Sequence, residues 1–165
     1  MRVELGRAML AMVVAAIGFG GAACVARADD AGVKAAIKAQ DRVLNRGEKQ
    51  SPLITALLHN KLRPNQWSQA RRQCVAFAVT VDHAGAVVAK PTPLTPAGAA
   101  GQKDWVAGVR ELSHAYRQLA TALTDALHHR GSAASREART AEKTITAGNK
   151  LGYKADHELG LTRGA

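Results

Sequence analysis

Three long segments of the chain repeat apolar residues at alternating intervals of three and four, and this period constrains the fold more than any other feature. The first seam comprises Trp67, Ala70, Cys74, Phe77, Val81, Ala84 and Val88; the second comprises Trp105, Val109, Leu112, Tyr116, Leu119, Leu123 and Ala126; the third comprises Ala134, Ala138, Ala141, Ile145, Gly148, Gly152, Ala155 and Leu159. Such spacing places residues on one face of an α-helix, and it outweighs the strand-like run VAFAVTV inside the first seam. The third seam consists largely of small residues, so we expect a neighbouring helix to approach it closely.

Two further helices are predicted before the first seam. One begins at Asp29 or Asp30, which provides its cap, and ends near Gly47. A shorter helix runs from Leu53 to Leu62, because Ser51-Pro52 supplies a cap followed by proline at the first helical position.

A loop rich in proline and glycine separates the two longest segments. It reads KPTPLTPAGAAG, residues 90–101, and is long enough to cross the end of a helical bundle. Asp104 then lies where a cap or a first-turn acid of the next helix belongs. The sequence therefore predicts an all-α protein: a four-helix-type bundle with one additional short helix and a Pro/Gly-rich crossover loop.

The first 28 residues have the pattern of a secretory signal. Arg2 and Arg7 precede an uncharged run, residues 8–25, and Ala26-Arg27-Ala28 forms an A-x-A cleavage site. We predict a signal peptide over residues 1–28, a single helical-bundle domain over 29–165, and an exported protein of the periplasm, the cell envelope or the exterior.

Two alternatives to cleavage after Ala28 stay open. The uncharged run could remain as an anchor, although its length is at the lower limit for a spanning helix. Cys24 could instead carry a lipid, since small residues precede it. A large aliphatic residue is usual three positions before a lipid-bearing cysteine, and Gly21 stands there instead.

Cysteine usage limits the chemistry of the chain 29–165. Cys74 is its single cysteine, so an internal disulfide is excluded. Because Cys74 belongs to the first seam, we interpret it as a small core residue, and the alternative of a nucleophile with a histidine base stays open. We expect a monomer with no catalytic residues.

Two acid–histidine pairs resemble the Glu-x-x-His spacing of di-iron bundles. They are Glu111 with His114 and Asp125 with His128, and they lie about 21 Å apart along one helix, too far to share a metal. A helical wheel also places all four side chains outside the second seam, so we predict no metal and no cofactor. Two readings stay open: a surface Zn or Cu ion at Asp125, His128 and His129, and more generally a metal- or cofactor-binding bundle.

Positive charge is the remaining feature that points to a function. Removal of residues 1–28 leaves 20 basic and 12 acidic residues. The first basic ridge is Lys34, Lys38, Arg42 and Arg46; the second basic ridge is Arg136, Lys143 and Lys150, with His157 one heptad further on. Such ridges on an exported bundle predict a non-catalytic protein that binds anionic envelope polymers or a lipid surface. The alternative is a solvated, solubilising face, and no specific nucleic-acid binding is expected.

The layout resembles a loose group of small exported or lipid-anchored helical proteins of high-GC bacteria. The shared features are the signal, the Pro-rich crossover and a closing helix that ends like ADHELGL, residues 155–161. The resemblance is one of pattern over most of the chain, and the group is largely uncharacterised, so it implies a fold and an exported location but no chemistry. Members often carry paired cysteines, which this chain lacks after residue 28.

Overall fold

A computed structural model describes residues 30–161, and the predicted signal peptide lies outside these described residues. Five α-helices pack together, and no strand occurs between residues 30 and 161. They are α1 (Ala31–Lys49), α2 (Pro52–Leu58), α3 (Trp67–Val88), α4 (Pro96–Leu127) and α5 (Gly131–Leu159), with a 3-10 turn over Pro64–Gln66 before α3. The prediction of an all-α protein is confirmed.

The longest helix, α4, occupies the centre of the arrangement. Helix α5 packs along one side of α4 and helix α3 along the other, while α1 and α2 pack mainly on α3. Neighbouring long helices run antiparallel. The Ser113 hydroxyl of α4 donates to the Ala78 carbonyl of α3 at 3.2 Å, and Gln102, near the start of α4, donates to the Val88 carbonyl at the end of α3.

The three predicted seams are confirmed as inward faces. Their buried members are Ala70, Cys74, Phe77, Val81, Ala84 and Val88 in α3; Trp105, Val109, Tyr116, Leu119, Leu123 and Ala126 in α4; and Ala134, Ala138, Ala141, Gly148, Ala155 and Leu159 in α5. The rings of Phe77 and Tyr116 join α3 to α4 in an edge-to-face contact with centroids 4.8 Å apart. Such a pair adds about 0.5–1.5 kcal/mol to the stabilisation from apolar burial.

Glycine brings the backbones of α4 and α5 into direct contact, as the small third seam predicted. A Cβ atom on Gly108 would lie 2.9 Å from the Gly148 carbonyl oxygen, and a Cβ on Gly148 would lie 2.9 Å from the Gly108 carbonyl oxygen. The close approach therefore depends on the absence of both side chains, and its packing offsets the low helix propensity of glycine.

The predicted boundary of the crossover loop is wrong. Helix α4 begins at Pro96, about two turns before Asp104, and the Thr95 side chain caps it by accepting from the Gly98 N–H at 2.9 Å. Proline at the first helical position starts a helix, so the run PAGAA belongs to α4 and not to the loop. Asp104 instead lies in the body of α4 and forms an ion pair with the Lys154 ammonium of α5 at 2.7 Å.

The short helix also ends earlier than predicted, at Leu58 and not at Leu62. Asn60 adopts a left-handed conformation with φ of 53°, and the Lys61 N–H donates to the Ala56 carbonyl at 2.7 Å. This is a Schellman-type ending, in which asparagine tolerates the left-handed position.

Candidate anion-binding surface

Exposed charge on the described part of the chain is almost entirely positive. Of the 19 Lys and Arg residues between 30 and 161, all except Lys34 and Arg71 are exposed. Of the 11 acidic residues in the same range, Asp82 alone is exposed. The Asp82 carboxylate accepts from Arg117 at 2.5 Å, a hydrogen bond that lowers its pKa. Acidic residues are commonly exposed at a protein surface. Because those of this chain are mostly buried or half-buried, the solvent-facing sides of the helices are positively charged.

The first basic ridge follows the outer side of α1. Lys38, Arg42 and Arg46 are exposed, whereas Lys34 is half-buried. Their four-residue spacing separates successive Cα atoms by about 6 Å along the axis. The acids of α1, Asp41 and Glu48, are both half-buried.

The second basic ridge follows the outer side of α5. Arg136, Lys143 and Lys150 are exposed, as is His157, at intervals of about 10.5 Å along the axis. The four acids of this helix lie closer to its partner helix: Glu137, Glu142 and Glu158 are half-buried and Asp156 is buried. The outward face of α5 therefore presents positive charge alone.

The structure does not merge the two ridges into one groove. Helix α1 packs mainly on α3 and α5 packs mainly on α4, so the two ridges lie on helices that have no substantial contact with each other. Sequence reasoning missed a third row, the α4 row, which consists of Lys103, Arg110 and Arg117. All three are exposed at seven-residue intervals. The same heptad spacing that revealed the second ridge could have revealed this one.

Asp125 departs from the outward position that the second seam predicted. Asp125 is buried, and its carboxylate forms an ion pair with Arg130 at 2.6 Å. The reason is that α4 is covered on two sides, by α3 and by α5, so its buried arc is wider than one seam. His114 and His128 are exposed and Glu111 is half-buried.

No site for a metal is formed within the described range. Between residues 30 and 161 no group of three or more His, Cys, Asp and Glu side chains comes close enough to hold an ion. The ion pair with Arg130 engages Oδ1 of Asp125, one of the two oxygens of the carboxylate that a surface site with His128 and His129 would use.

Cys74 is buried, as its seam position predicted, and it is a free cysteine among residues 30–161. Burial raises the pKa of its thiol to about 12, so the reactive thiolate is scarce at neutral pH. A buried thiol in this state is a core residue and a poor nucleophile.

Asp30 joins the start of α1 to the start of α4. Its carboxylate accepts from the Thr95 hydroxyl and from the backbone N–H groups of Leu94 at 3.1 Å and Thr95 at 3.4 Å. The Thr95 hydroxyl contributes most to holding the pKa of Asp30 below its ordinary value, and burial opposes it. The carboxylate lies directly over Gly98, where a Cβ atom would clash with it. The positive end of the α4 dipole is thereby occupied by a carboxylate of the chain itself.

In comparisons with known proteins, no protein-family model, curated protein or solved structure matches the chain. The resemblance to small exported helical proteins therefore stays a prediction. Across residues 30–161 none of the helices has the length and apolar character required to cross a bilayer.

Proposed function

We propose that this protein is an exported, non-catalytic helical protein that binds anionic components of the cell envelope through the basic faces of α1, α4 and α5. The observation that carries the proposal is the distribution of charge. Nearly all described cations are exposed, while Asp82 is the single exposed acid among residues 30–161. A solubilising surface requires net charge but not the withdrawal of the opposite charge, so this distribution favours binding.

We expect the binding to be electrostatic, so that it depends on the negative charge of the partner and not on its sequence. Rows of cations at intervals of about 6 Å on α1 and about 10.5 Å on α5 can each meet a repeating anionic polymer or a charged surface. Contacts of this kind release or displace counterions, so affinity falls steeply as salt rises. On α5, Tyr153 is 46% exposed between Lys150 and His157, whereas the cation rows of α1 and α4 contain no exposed Phe, Tyr or Trp of the kind on which the bases of single-stranded nucleic acid stack.

The test uses the chain 29–165 and a soluble polyanion such as heparin, titrated at low and at high salt. We expect binding at low salt that is lost at high salt. The double variant Lys38→Glu with Arg42→Glu should weaken it strongly while the helical circular dichroism signal is unchanged, because both side chains are exposed.

The matched control reverses two exposed cations outside the ridges, Lys61→Glu with Lys90→Glu. Net charge changes equally in both variants, so a larger effect of the ridge variant assigns the binding to α1. An equal effect would assign it to total charge and not to the ridge. Absence of binding at low salt would leave the cations as a solubilising surface and refute the proposal.

Export is the second part of the proposal, and it rests on the signal pattern of residues 1–28. Protein recovered from the exported fraction should begin at Asp29 when its N-terminus is sequenced. A start at a lipid-modified Cys24 would replace cleavage after Ala28 by lipid anchoring.

The proposal also includes the arrangement of the helices and the oligomeric state. The long helices α1, α3, α4 and α5 form a four-helix-type bundle, and α2 is the additional short helix. Support comes from the antiparallel pairing of α3 with α4 and of α4 with α5. The protein is a monomer, which light scattering of the chain 29–165 would test.

A further inference from the structure

The outer face of α3 is the part of the described surface where apolar side chains are most exposed on adjacent turns. Val75 and Val79 are 47% and 59% exposed. Asp82 shares their face, since the spacings of four and three residues follow the helical period. Two neighbouring, solvent-facing valines on one helix have no role in the core described above.

Cations bracket this valine pair along the helix axis. Arg72 is exposed one turn before Val75, and Arg117 of α4 bonds to Asp82 one turn after Val79. Because α3 and α4 run antiparallel, Arg110 and Lys103, which lie one and two heptads before Arg117, run beside the second half of α3. We name this strip the α3–α4 strip; it consists of Arg72, Val75, Val79, Asp82, Arg117, Arg110 and Lys103, so its four cations and one acid give it a net charge of +3.

The charges of the strip discriminate between possible partners. A second copy of the chain would bring two strips of net positive charge together, which is unfavourable. A partner with negative charge at its surface and an apolar interior would suit both the cations and the valines of the strip. A bilayer with anionic headgroups is such a surface, since interfacial binding combines buried apolar area with attraction of Lys and Arg to the charged headgroups.

We infer that the α3–α4 strip is the face on which this protein lies on an anionic membrane, with the two valines entering the headgroup region and the cations contacting lipid phosphates. This inference rests on the proposed function and specifies it. It names a bilayer as the partner and a face of α3 and α4, separate from the ridges of α1 and α5, as the contact.

The experiment is cosedimentation of the chain 29–165 with phosphatidylcholine vesicles prepared with and without phosphatidylglycerol, beside the heparin titration. Binding should require phosphatidylglycerol. The variant Val75→Thr with Val79→Thr keeps the size and branching of both side chains, and it should weaken vesicle binding by about threefold or more while heparin binding is unchanged. Val43→Thr on α1 is the matched control for Val75→Thr made singly, because Val43 is exposed to a similar extent, 44% against 47%.

A second pair of variants tests the charges of the strip. Arg110→Glu should weaken vesicle binding on the order of tenfold, since each cation near an anionic leaflet contributes to attraction. Lys61→Glu makes the same change in net charge at an exposed position between α2 and α3, away from the strip, and should have a smaller effect.

The outcomes separate the two proposals. Heparin binding without vesicle binding overturns the membrane inference and leaves the proposed function standing, whereas loss of both refutes both. Equal effects of the strip variants and their controls refute the assignment to this face. Self-association that disappears in the double valine variant would identify the strip as an interface between copies of the chain and overturn the inference.

Discussion

Replacement of Gly148 by alanine is the sharpest test of how α4 and α5 are held together. The new Cβ would lie 2.9 Å from the Gly108 carbonyl oxygen and 3.2 Å from Cγ of Leu112. The nearer atom belongs to the backbone of a long helix and cannot rotate away. The two helices must therefore separate by roughly half an ångström at this crossing to restore an ordinary contact.

Two opposing effects set the size of the change in stability. Alanine is favoured over glycine in a helix interior by about 1 kcal/mol. Overpacking of a well-packed contact costs about 1–3 kcal/mol. We therefore expect Gly148→Ala to lower the free energy of unfolding by about 1 kcal/mol, which for a domain of this size is a decrease in Tm of about 3 °C.

Gly32→Ala is the matched control for this substitution. Gly32 is exposed in the first turn of α1, and a Cβ there would lie 3.9 Å from its nearest neighbour, Cβ of Pro91, an ordinary contact. The same change should therefore stabilise the protein by about 0.5 kcal/mol, through the backbone entropy of glycine alone.

The measurement is urea unfolding of both variants and the parent chain, followed by circular dichroism. The two substitutions should have opposite signs. A Gly148→Ala variant as stable as Gly32→Ala would show that α4 and α5 do not approach at Gly108 and Gly148, and the account of the third seam would be wrong.

Three further predictions follow from the buried contacts. The partners of Asp30 lower its pKa below the ordinary value of 3.8. The stabilisation from its charged contacts is therefore complete above pH 3.8 and is lost as the pH falls through the lowered pKa. Thermal melts of Asp30→Asn and the parent should differ at neutral pH and converge in strong acid. Cys74 should react slowly with a thiol reagent in the native protein and rapidly in urea, and rapid native labelling would contradict its burial. Phe77→Ala should lower the free energy of unfolding by about 3–5 kcal/mol in urea titrations, because it removes a buried ring and the contact with Tyr116; a loss under 1 kcal/mol would mean that the ring is not packed as described.

The sequence by itself determined the helical class and most of the inward residues. The three seams were readable because the 3-4 spacing is a local property of one helix, so the faces of α3, α4 and α5 did not depend on knowing their neighbours. The burial of Cys74 and the close approach at Gly148 followed from membership of a seam. The two basic ridges and the α4 row were likewise present in the sequence as regular spacings of Lys and Arg, although the α4 row was not predicted.

Tertiary structure alone decided which faces have a neighbour. Asp125 is buried because α4 lies between two helices, and no single-helix pattern states how many partners a helix has. The beginning of α4 depended on Thr95 and Pro96, and the contact of Thr95 with Asp30 spans 65 residues of sequence. The withdrawal of the acids and the exposure of Val75 and Val79 are also products of packing, since burial is a property of the assembled helices and local spacing only sets which residues share a face.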